Sequence, residues 1–276
     1  MSNKRSKKEA LVRIPETLRK VKNIVGIFSA KGGVGKSEIS LNLALGLSNK
    51  GHKVGLLDAD IYGPSLPVLL EASTNEIDVK DKQLLVPLVK KGIKFISMGL
   101  IARGQKPVIW RGPMVSGAVM QLMSQTDWQE LDYLIIDTPP GTGDVQLTLL
   151  QRLPLNAAIV VTTPQEVSTS DTRKGIEMIK KLDLPILGLL ENMSYFKPDD
   201  SKKKYFIFGK GGGQKLSKEY DLELLSEIPL IEKKGFVPLY ELEDYKIIFD
   251  HITNKVIKSL EIIKKSVNQI IPQKKE

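Results

Sequence analysis

The sequence predicts an α/β fold of three layers, with a mainly parallel central sheet and helices on both faces. Three observations carry this. Near-continuous apolar runs recur at 24–28, 132–137, 157–164 and 185–193, as expected for strands buried on both faces. Stretches with apolar residues at helical spacing, such as 37–47 and 168–181, lie between them. A glycine-rich turn joins the first apolar run to the first helical one, and parallel neighbours need such helical crossovers.

In chain order, residues 1–20 are rich in lysine and contain Pro15, and are predicted to form a basic arm. A strand is predicted over 23–29, a loop over 30–37 and a helix over 36–49, ended by Gly51. Strand 53–60 follows, then a loop at 61–65 and a short apolar turn through Leu70. Residues 77–92 read as a hairpin, with Ile77 and Val79 on one side, a turn at Asp81-Lys82, and 84–89 on the other. A strand over 94–100 and a helix over 114–126 come next. Strand 132–137 ends in a carboxylate and runs into a proline- and glycine-stiffened loop, 138–144. Strand 157–164, helix 168–181 and strand 185–193 complete the alternation, with Asp144 and Asp171 expected as helix caps. Tyr245, Ile248, Phe249, Ile252, Val256, Leu260, Ile263 and Val267 form an apolar stripe at helical spacing, predicted to pack on the sheet. The division expected is an arm at 1–20, one domain at 21–265 and a tail at 266–276.

Composition removes several function classes. The chain has no cysteine, so it offers no disulfide, no thiolate metal site and no cysteine nucleophile. Its two histidines, His52 and His251, lie far apart and read as surface residues. No run approaches the ~20 apolar residues of a membrane span, and the lysine-rich start has no apolar stretch after it; a cytoplasmic protein is expected. The net charge of +9 sits at the ends: residues 1–22 carry +6 and 246–276 carry +4, leaving −1 between them. Nucleic acid is therefore not an expected partner of the body, and the charged ends read as solvated tails.

The chemistry centres on Ser29-Ala30-Lys31-Gly32-Gly33-Val34-Gly35-Lys36-Ser37. A strand, a glycine-rich turn and a helix opening at Gly-Lys-Ser make a phosphate cradle. Glycines let backbone N–H groups approach phosphate oxygens, and the helix N-terminus adds its positive dipole end. Lys36 is placed to reach the β- and γ-phosphates of ATP, and the Ser37 hydroxyl to bind Mg²⁺. The fold expected is thus that of a P-loop NTPase. Ala30 stands where the usual pattern has its first glycine, and Lys31 is a second lysine early in the loop. In this the loop looks like the deviant P-loop of the MinD, ParA and nitrogenase-iron-protein group of ATPases. The resemblance implies that Lys31 crosses a homodimer interface to the partner's nucleotide.

Phosphoryl transfer to water also needs a metal and a positioned nucleophile. Asp137, closing an apolar strand, suits the Walker B position near Mg²⁺. Asp58 and Asp60 are two apart at the end of strand 53–60, a spacing that turns both to one side of a strand. By resemblance to the deviant group, Asp60 orients the attacking water and Asp58 supports the metal shell. Lys36, Asp60, Asp137 and Asn192 all fall at or just beyond carboxyl ends of predicted strands, where a parallel sheet places its ligand.

Further stretches resemble one branch, the Mrp/ApbC family of iron–sulfur cluster carrier ATPases. They are Leu57-Asp58-Ala59-Asp60-Ile61-Tyr62-Gly63-Pro64-Ser65, Trp110-Arg111-Gly112-Pro113-Met114, Asp137-Thr138-Pro139-Pro140-Gly141-Thr142-Gly143-Asp144 and Glu191-Asn192-Met193-Ser194. Ile207-Phe208-Gly209-Lys210-Gly211-Gly212-Gly213 and Ile228-Pro229-Leu230 extend the likeness, so that it covers about 20–250. The resemblance implies slow ATP hydrolysis by a nucleotide-sandwiched homodimer. It also implies an adenine contact from Asn192, phosphate contacts from Lys31, Gly32, Gly33, Val34, Gly35, Lys36 and Ser37, and iron–sulfur scaffold or client proteins as partners. Members of that family carry a C-P-x-C pair after Asn-Met-Ser-x-Phe, and two pairs bridge a [4Fe–4S] cluster between subunits. Here the chain reads Tyr195-Phe196-Lys197-Pro198-Asp199-Asp200-Ser201. Without a gap Pro198 and Ser201 take the cysteine places; with a one-residue gap Lys197 and Asp200 do. Neither register supplies the thiolates such clusters rest on. A competing class is a MinD/ParA-type positioning ATPase, acting at DNA through its basic ends or at a membrane through the C-terminal helix.

Overall fold

The computed structural model describes residues 15–270, apart from 62, 64, 82–83, 102–111, 199–202 and 232–236. Ten strands and eight α-helices occur among these residues. β1 is Ile24–Phe28, β2 Val54–Asp58, β3 Val79–Lys80, β4 Leu84–Leu85 and β5 Leu88–Lys90. β6 is Ile93–Ser97, β7 Tyr133–Asp137, β8 Ala157–Thr162, β9 Ile186–Glu191 and β10 Leu224–Glu227. α1 is Lys36–Asn49, α2 Leu66–Leu69, α3 Met98–Ile101 and α4 Gly112–Gln125. α5 is Asp144–Arg152, α6 Glu166–Lys181, α7 Gly212–Tyr220 and α8 Glu243–Ile270.

Eight strands form one sheet in the order β10-β9-β8-β1-β7-β2-β6-β5. Every pairing in it is parallel except β5 with β6. β1 lies between β7 and β8, so the glycine-rich loop leaves the sheet where the winding direction changes, the place where such sheets bind ligands.

The apolar runs are continuous because alternate residues serve two cores. Val25, Ile27, Leu56, Ile135 and Ile159 face a core shared with α1 and α8. Ile24, Leu57, Leu134 and Ile136 face the other side, against Val115, Val119 and Met123 of α4 and Leu149 of α5. Phe28, Ala158 and Val160 meet Ile176 and Ile179 of α6 and Leu216 of α7 on that second face. The C-terminal stripe packs as expected: Phe249, Ile252, Val256 and Leu260 are buried against the sheet. Gly46 of α1 lets α8 come close, since the Thr253 hydroxyl lies where a Cβ would stand. The face a membrane would need is thus covered by protein. Among the described residues no helix is long and apolar enough to cross a membrane.

Several local expectations are corrected. The strand expected over 94–100 ends at Ser97, and Met98–Ile101 turns into α3. The run 84–89 divides: β4 pairs with β3 in the hairpin, whereas β5 pairs antiparallel with β6 at the sheet edge. Pro87 lies between them, and a residue without an N–H cannot continue a ladder. Asp171 is inside α6 and pairs with Lys174 at 3.0 Å rather than capping. Asp144 is the first residue of α5, with Gly143 at the cap and no side-chain cap bond. Strand 53–60 ends at Asp58. Of the arm 1–20, residues 1–14 lie outside the described residues, as do Lys82, Trp110, Arg111 and 271–276 of the tail. The arm's last residues do pack: Leu18 is buried, and Thr17 donates its hydroxyl to the Ser124 carbonyl at 2.9 Å.

Candidate nucleotide site

The loop after β1 is shaped by its glycines. Gly33 and Gly35 take φ of 77° and 83°, a left-handed conformation that strains any residue with a Cβ. Gly35 caps α1 in this conformation, and no side chain caps that helix, which leaves its first-turn N–H groups facing the loop. Ser29 steadies the entrance by donating to the Lys31 carbonyl at 3.0 Å, and its own carbonyl accepts from the Gly141 N–H at 3.0 Å. Lys31, Gly32 and Gly33 are exposed, Val34 is buried, and Ser37 is half-buried on the first turn of α1.

Lys36 is buried, and its ammonium donates to Asp137 Oδ1 at 2.8 Å. Ser40, one helical turn on, donates to the same oxygen at 2.9 Å and to the Lys36 carbonyl at 3.0 Å. Asp137 Oδ2 is buried without a hydrogen-bond partner. A buried carboxylate oxygen so left is an acceptor awaiting a group from outside the chain. The loop following Asp137 is held down by Thr138, whose hydroxyl donates to the Ile27 carbonyl at 2.8 Å, and by Gln146, which donates to the Pro139 carbonyl at 2.5 Å.

Sheet register sets the second carboxylate. Asp58 of β2 is the direct partner of Asp137 on β7, and Ser97 of β6 is the partner of Asp58. Ser97 donates its hydroxyl to Asp58 Oδ2 at 2.8 Å, and the Asp60 N–H donates to Oδ1 at 3.1 Å. Asp58 is fully buried, and burial first, then the charge of Asp137, holds its carboxyl well above the usual carboxylate range. Asp60 lies beyond the strand end, so the two-residue strand periodicity stops short of it. Its carboxylate accepts from the Gly63 N–H at 3.3 Å.

Asn192 follows β9, on the other side of β1. Its backbone N–H donates to the Thr162 carbonyl at 2.9 Å and its side-chain amide to the Val34 carbonyl at 2.9 Å. The amide sits where a Cβ on Gly35 would be, so glycine there serves this contact as well as the turn. Three residues further on, the chain enters the wall of a cleft of about 1050 Å³, lined also by Pro229, Leu230, Leu242 and Tyr245.

The structure therefore brings Lys36, Asp58 and Asp137 together, hangs Asn192 on the glycine loop, and leaves Lys31 exposed at its rim. Sequence reasoning missed Ser40 and Ser97. Ser40 carried a signal, four residues after Lys36 on one helix face; Ser97 carried none, because its role depends on which strand lies beside β2. It also left Glu191 unread. That buried carboxylate accepts from the Ser194 hydroxyl and the Gly213 N–H, both at 2.5 Å, and so holds the start of α7. Among the described residues no group of three or more histidine, cysteine, aspartate or glutamate side chains that could hold a metal ion occurs. Of the two registers weighed for the cluster pair, Lys197 and Pro198 are described, while Asp200 and Ser201 lie outside the described residues.

Comparison with known proteins supplies the context. Residues 20–266 match the ParA family described as NUBPL iron-transfer P-loop NTPase. An iron–sulfur cluster carrier protein of Pseudomonas fragi is 48% identical over 214 residues, 77% of this chain and 75% of that one. One of Methanocaldococcus jannaschii is 46% identical over 257 residues, 88% of each chain. Other relatives extend well past it: the chain spans 57% of the Escherichia coli protein. Among solved structures, a nucleotide-binding protein of Archaeoglobus fulgidus in complex with ADP superposes with a TM-score of 0.70. It is 33% identical, covering 87% of this chain and 90% of that one.

Proposed function

The chain belongs to the ParA family of NUBPL-type iron-transfer P-loop NTPases, and from that premise we propose that it is a slow, homodimeric Mg-ATPase serving iron–sulfur proteins without holding a cluster on ligands of its own. The observation that carries the ATPase part is the buried Lys36–Asp137–Ser40 knot beneath the glycine loop, with Asp137 Oδ2 left open.

The residues divide the work. Gly32, Gly33, Val34, Gly35 and the first turn of α1 offer N–H groups to the phosphates. Lys36 brings a charge that Asp137 holds in place before nucleotide arrives, so it is positioned without reorganisation. The donor set suits a hard cation: Ser37, Asp137 and, beside it, Asp58 present only oxygen. Bound there, Mg²⁺ supplies charge neutralisation at the phosphates. Asp60 orients the attacking water, Asn192 lies against the base, and exposed Lys31 reaches the nucleotide of the second subunit. The reading includes a cytoplasmic site of action.

The cargo part differs from that of relatives named as cluster carriers. Iron–sulfur clusters depend chiefly on cysteine thiolates, and this chain has none. It acts beside a partner that holds the cluster.

Two experiments test this. Mg-ATP titration with phosphate release is run on the chain and on Lys36→Ala. Binding and turnover are expected in the first and neither in the second; turnover retained in Lys36→Ala refutes the site. Anaerobic reconstitution with iron and sulfide is followed by iron quantification and an absorption spectrum. Sub-stoichiometric iron with ATPase activity intact supports the reading, and a stable stoichiometric cluster overturns its cargo half.

A further inference from the structure

On either side of the stretch set against the family's cysteine pair, the described residues form a distinct surface. Tyr205, Phe206 and Ile207 are consecutive and 44%, 39% and 61% exposed. Elsewhere among the described residues, large exposed apolar side chains stand singly. Each aromatic ring of this surface carries a lysine. The ammonium of Lys204 lies 3.8 Å from the Tyr195 ring centre, that of Lys210 4.8 Å from Phe206, and that of Lys203 5.1 Å from Tyr205. Tyr195 and Phe206 meet edge to face at 6.3 Å, which joins those two rings.

The surface is anchored. Phe196 and Tyr205 exchange backbone hydrogen bonds of 2.8 Å in both directions, and the Leu230 N–H donates to the Tyr195 carbonyl at 2.7 Å. At its root, Ser194 is bound to buried Glu191, which also holds the start of α7. A ribbon fixed in this way presents its side chains in one arrangement, which lowers the ordering cost of binding.

We propose that this lysine–aromatic ribbon is the docking surface for a protein partner that presents carboxylates interleaved with apolar side chains. The proposal rests on the reading of the chain as a factor that meets other proteins, and it names the surface used. Charge complementarity selects the occupant. Several lysines elsewhere in the fold pair with carboxylates, as Lys22 does with Asp132 and Lys255 with Glu223. Among the described residues no carboxylate pairs with Lys204 or Lys210, and the rings position their charge. An exposed cation–π contact is worth about 0.5–1 kcal/mol, and a carboxylate can join it without displacing it. Tyr205, Phe206 and Ile207 add the apolar area, a combination typical of contact surfaces. Single-stranded nucleic acid fits less well, because one face of each ring already bears an ammonium where a base would stack. A bilayer fits less well, because Tyr205 and Phe206 are more than half covered and cannot penetrate it.

Fluorescence anisotropy on the full chain, without nucleotide, tests the surface with a labelled dodecapeptide of alternating Glu and Phe. Controls are its Lys-for-Glu analogue, a dodecathymidine oligonucleotide and vesicles containing phosphatidylserine. The acidic peptide is expected to bind in a salt-sensitive manner. Lys204→Glu/Lys210→Glu should weaken it at least tenfold (~1.4 kcal/mol), and Phe206→Ser/Ile207→Ser several-fold, with thermal midpoints and Mg-ATP binding unchanged. Equal binding of the two peptides, indifference to both double variants, or preference for the oligonucleotide or vesicles overturns the proposal. Because the peptide is scored without nucleotide, the surface can fail while the ATPase reading stands, and Lys36→Ala tests that reading alone.

Discussion

Lys36 and Asp137 are 101 residues apart in sequence and meet at 2.8 Å with almost no solvent. Removing one member of such a pair strands a buried charge, at a cost of about 3–5 kcal/mol. Lys36→Met is therefore expected to lower stability by that order in urea melts without nucleotide, whereas Lys36→Met/Asp137→Leu recovers most of it. An unchanged midpoint in the single variant would show that the pair is not desolvated. Asp58 makes a separate test. Burial and the neighbouring Asp137 raise its pKa above the ordinary 3.8, so folding favours its protonated form. That contribution is complete below the ordinary carboxylate range and is lost as pH rises through the raised folded value. Thermal melts of Asp58→Asn should consequently gain on the parent between pH 5 and pH 8; a constant or shrinking gap counts against the assignment. Lys36 and Asp137 were legible because each ends or opens a recognisable pattern. Ser97 was not, because nothing local distinguishes it from any serine at a strand end.

At the level of elements, the end of β9 links two glycine-opened helices. Asn192 touches the loop before α1, while its neighbour Glu191 receives the Gly213 N–H of α7. Glu191→Ala leaves that N–H buried without an acceptor and the Ser194 hydroxyl with only the residue-191 carbonyl, at 3.2 Å, a loss of about 1–3 kcal/mol. Faster amide exchange in the first turn of α7, with β1 still protected, is the expected signature; uniform exchange would mean that α7 is held otherwise. α8 was readable from its stripe, since apolar residues kept at helical spacing over so long a run line up on one face only if the backbone is a helix. Its burial predicts no affinity for lipid. The chain should stay in the supernatant when anionic vesicles are sedimented, and Phe249→Ala should cost about 3–5 kcal/mol. Sedimentation with the vesicles would revive the membrane reading. α7 and β10 escaped sequence reasoning for opposite reasons: α7 buries one large apolar side chain, Leu216, and β10 is four residues long.

For the whole molecule, nucleotide and a second subunit are the expected sources of stabilisation. A ligand bound only by the folded state, at a hundred times its Kd, adds about 2.7 kcal/mol. Mg-ATP should therefore raise the thermal midpoint of the chain and not that of Lys36→Ala. Lys31→Ala is expected to keep the thermal shift but lose the ATP-dependent doubling of mass in light scattering; a variant that still doubles would remove Lys31 from the interface. By itself the sequence determined the layered α/β class, the phosphate loop and the lack of any thiolate for a cluster. These are properties of neighbouring residues and of composition, and they hold whatever the strand order. Only the tertiary structure decided that Ser97, Asp58 and Asp137 stand in one row, that Ser40 shares an oxygen with Lys36, and that Asn192 closes on Gly35. The structure alone also brought Tyr195, Phe206 and their lysines into one surface. Each of those facts depends on register and packing between segments far apart in the chain, where a shift of one residue turns a side chain to the other face of the sheet.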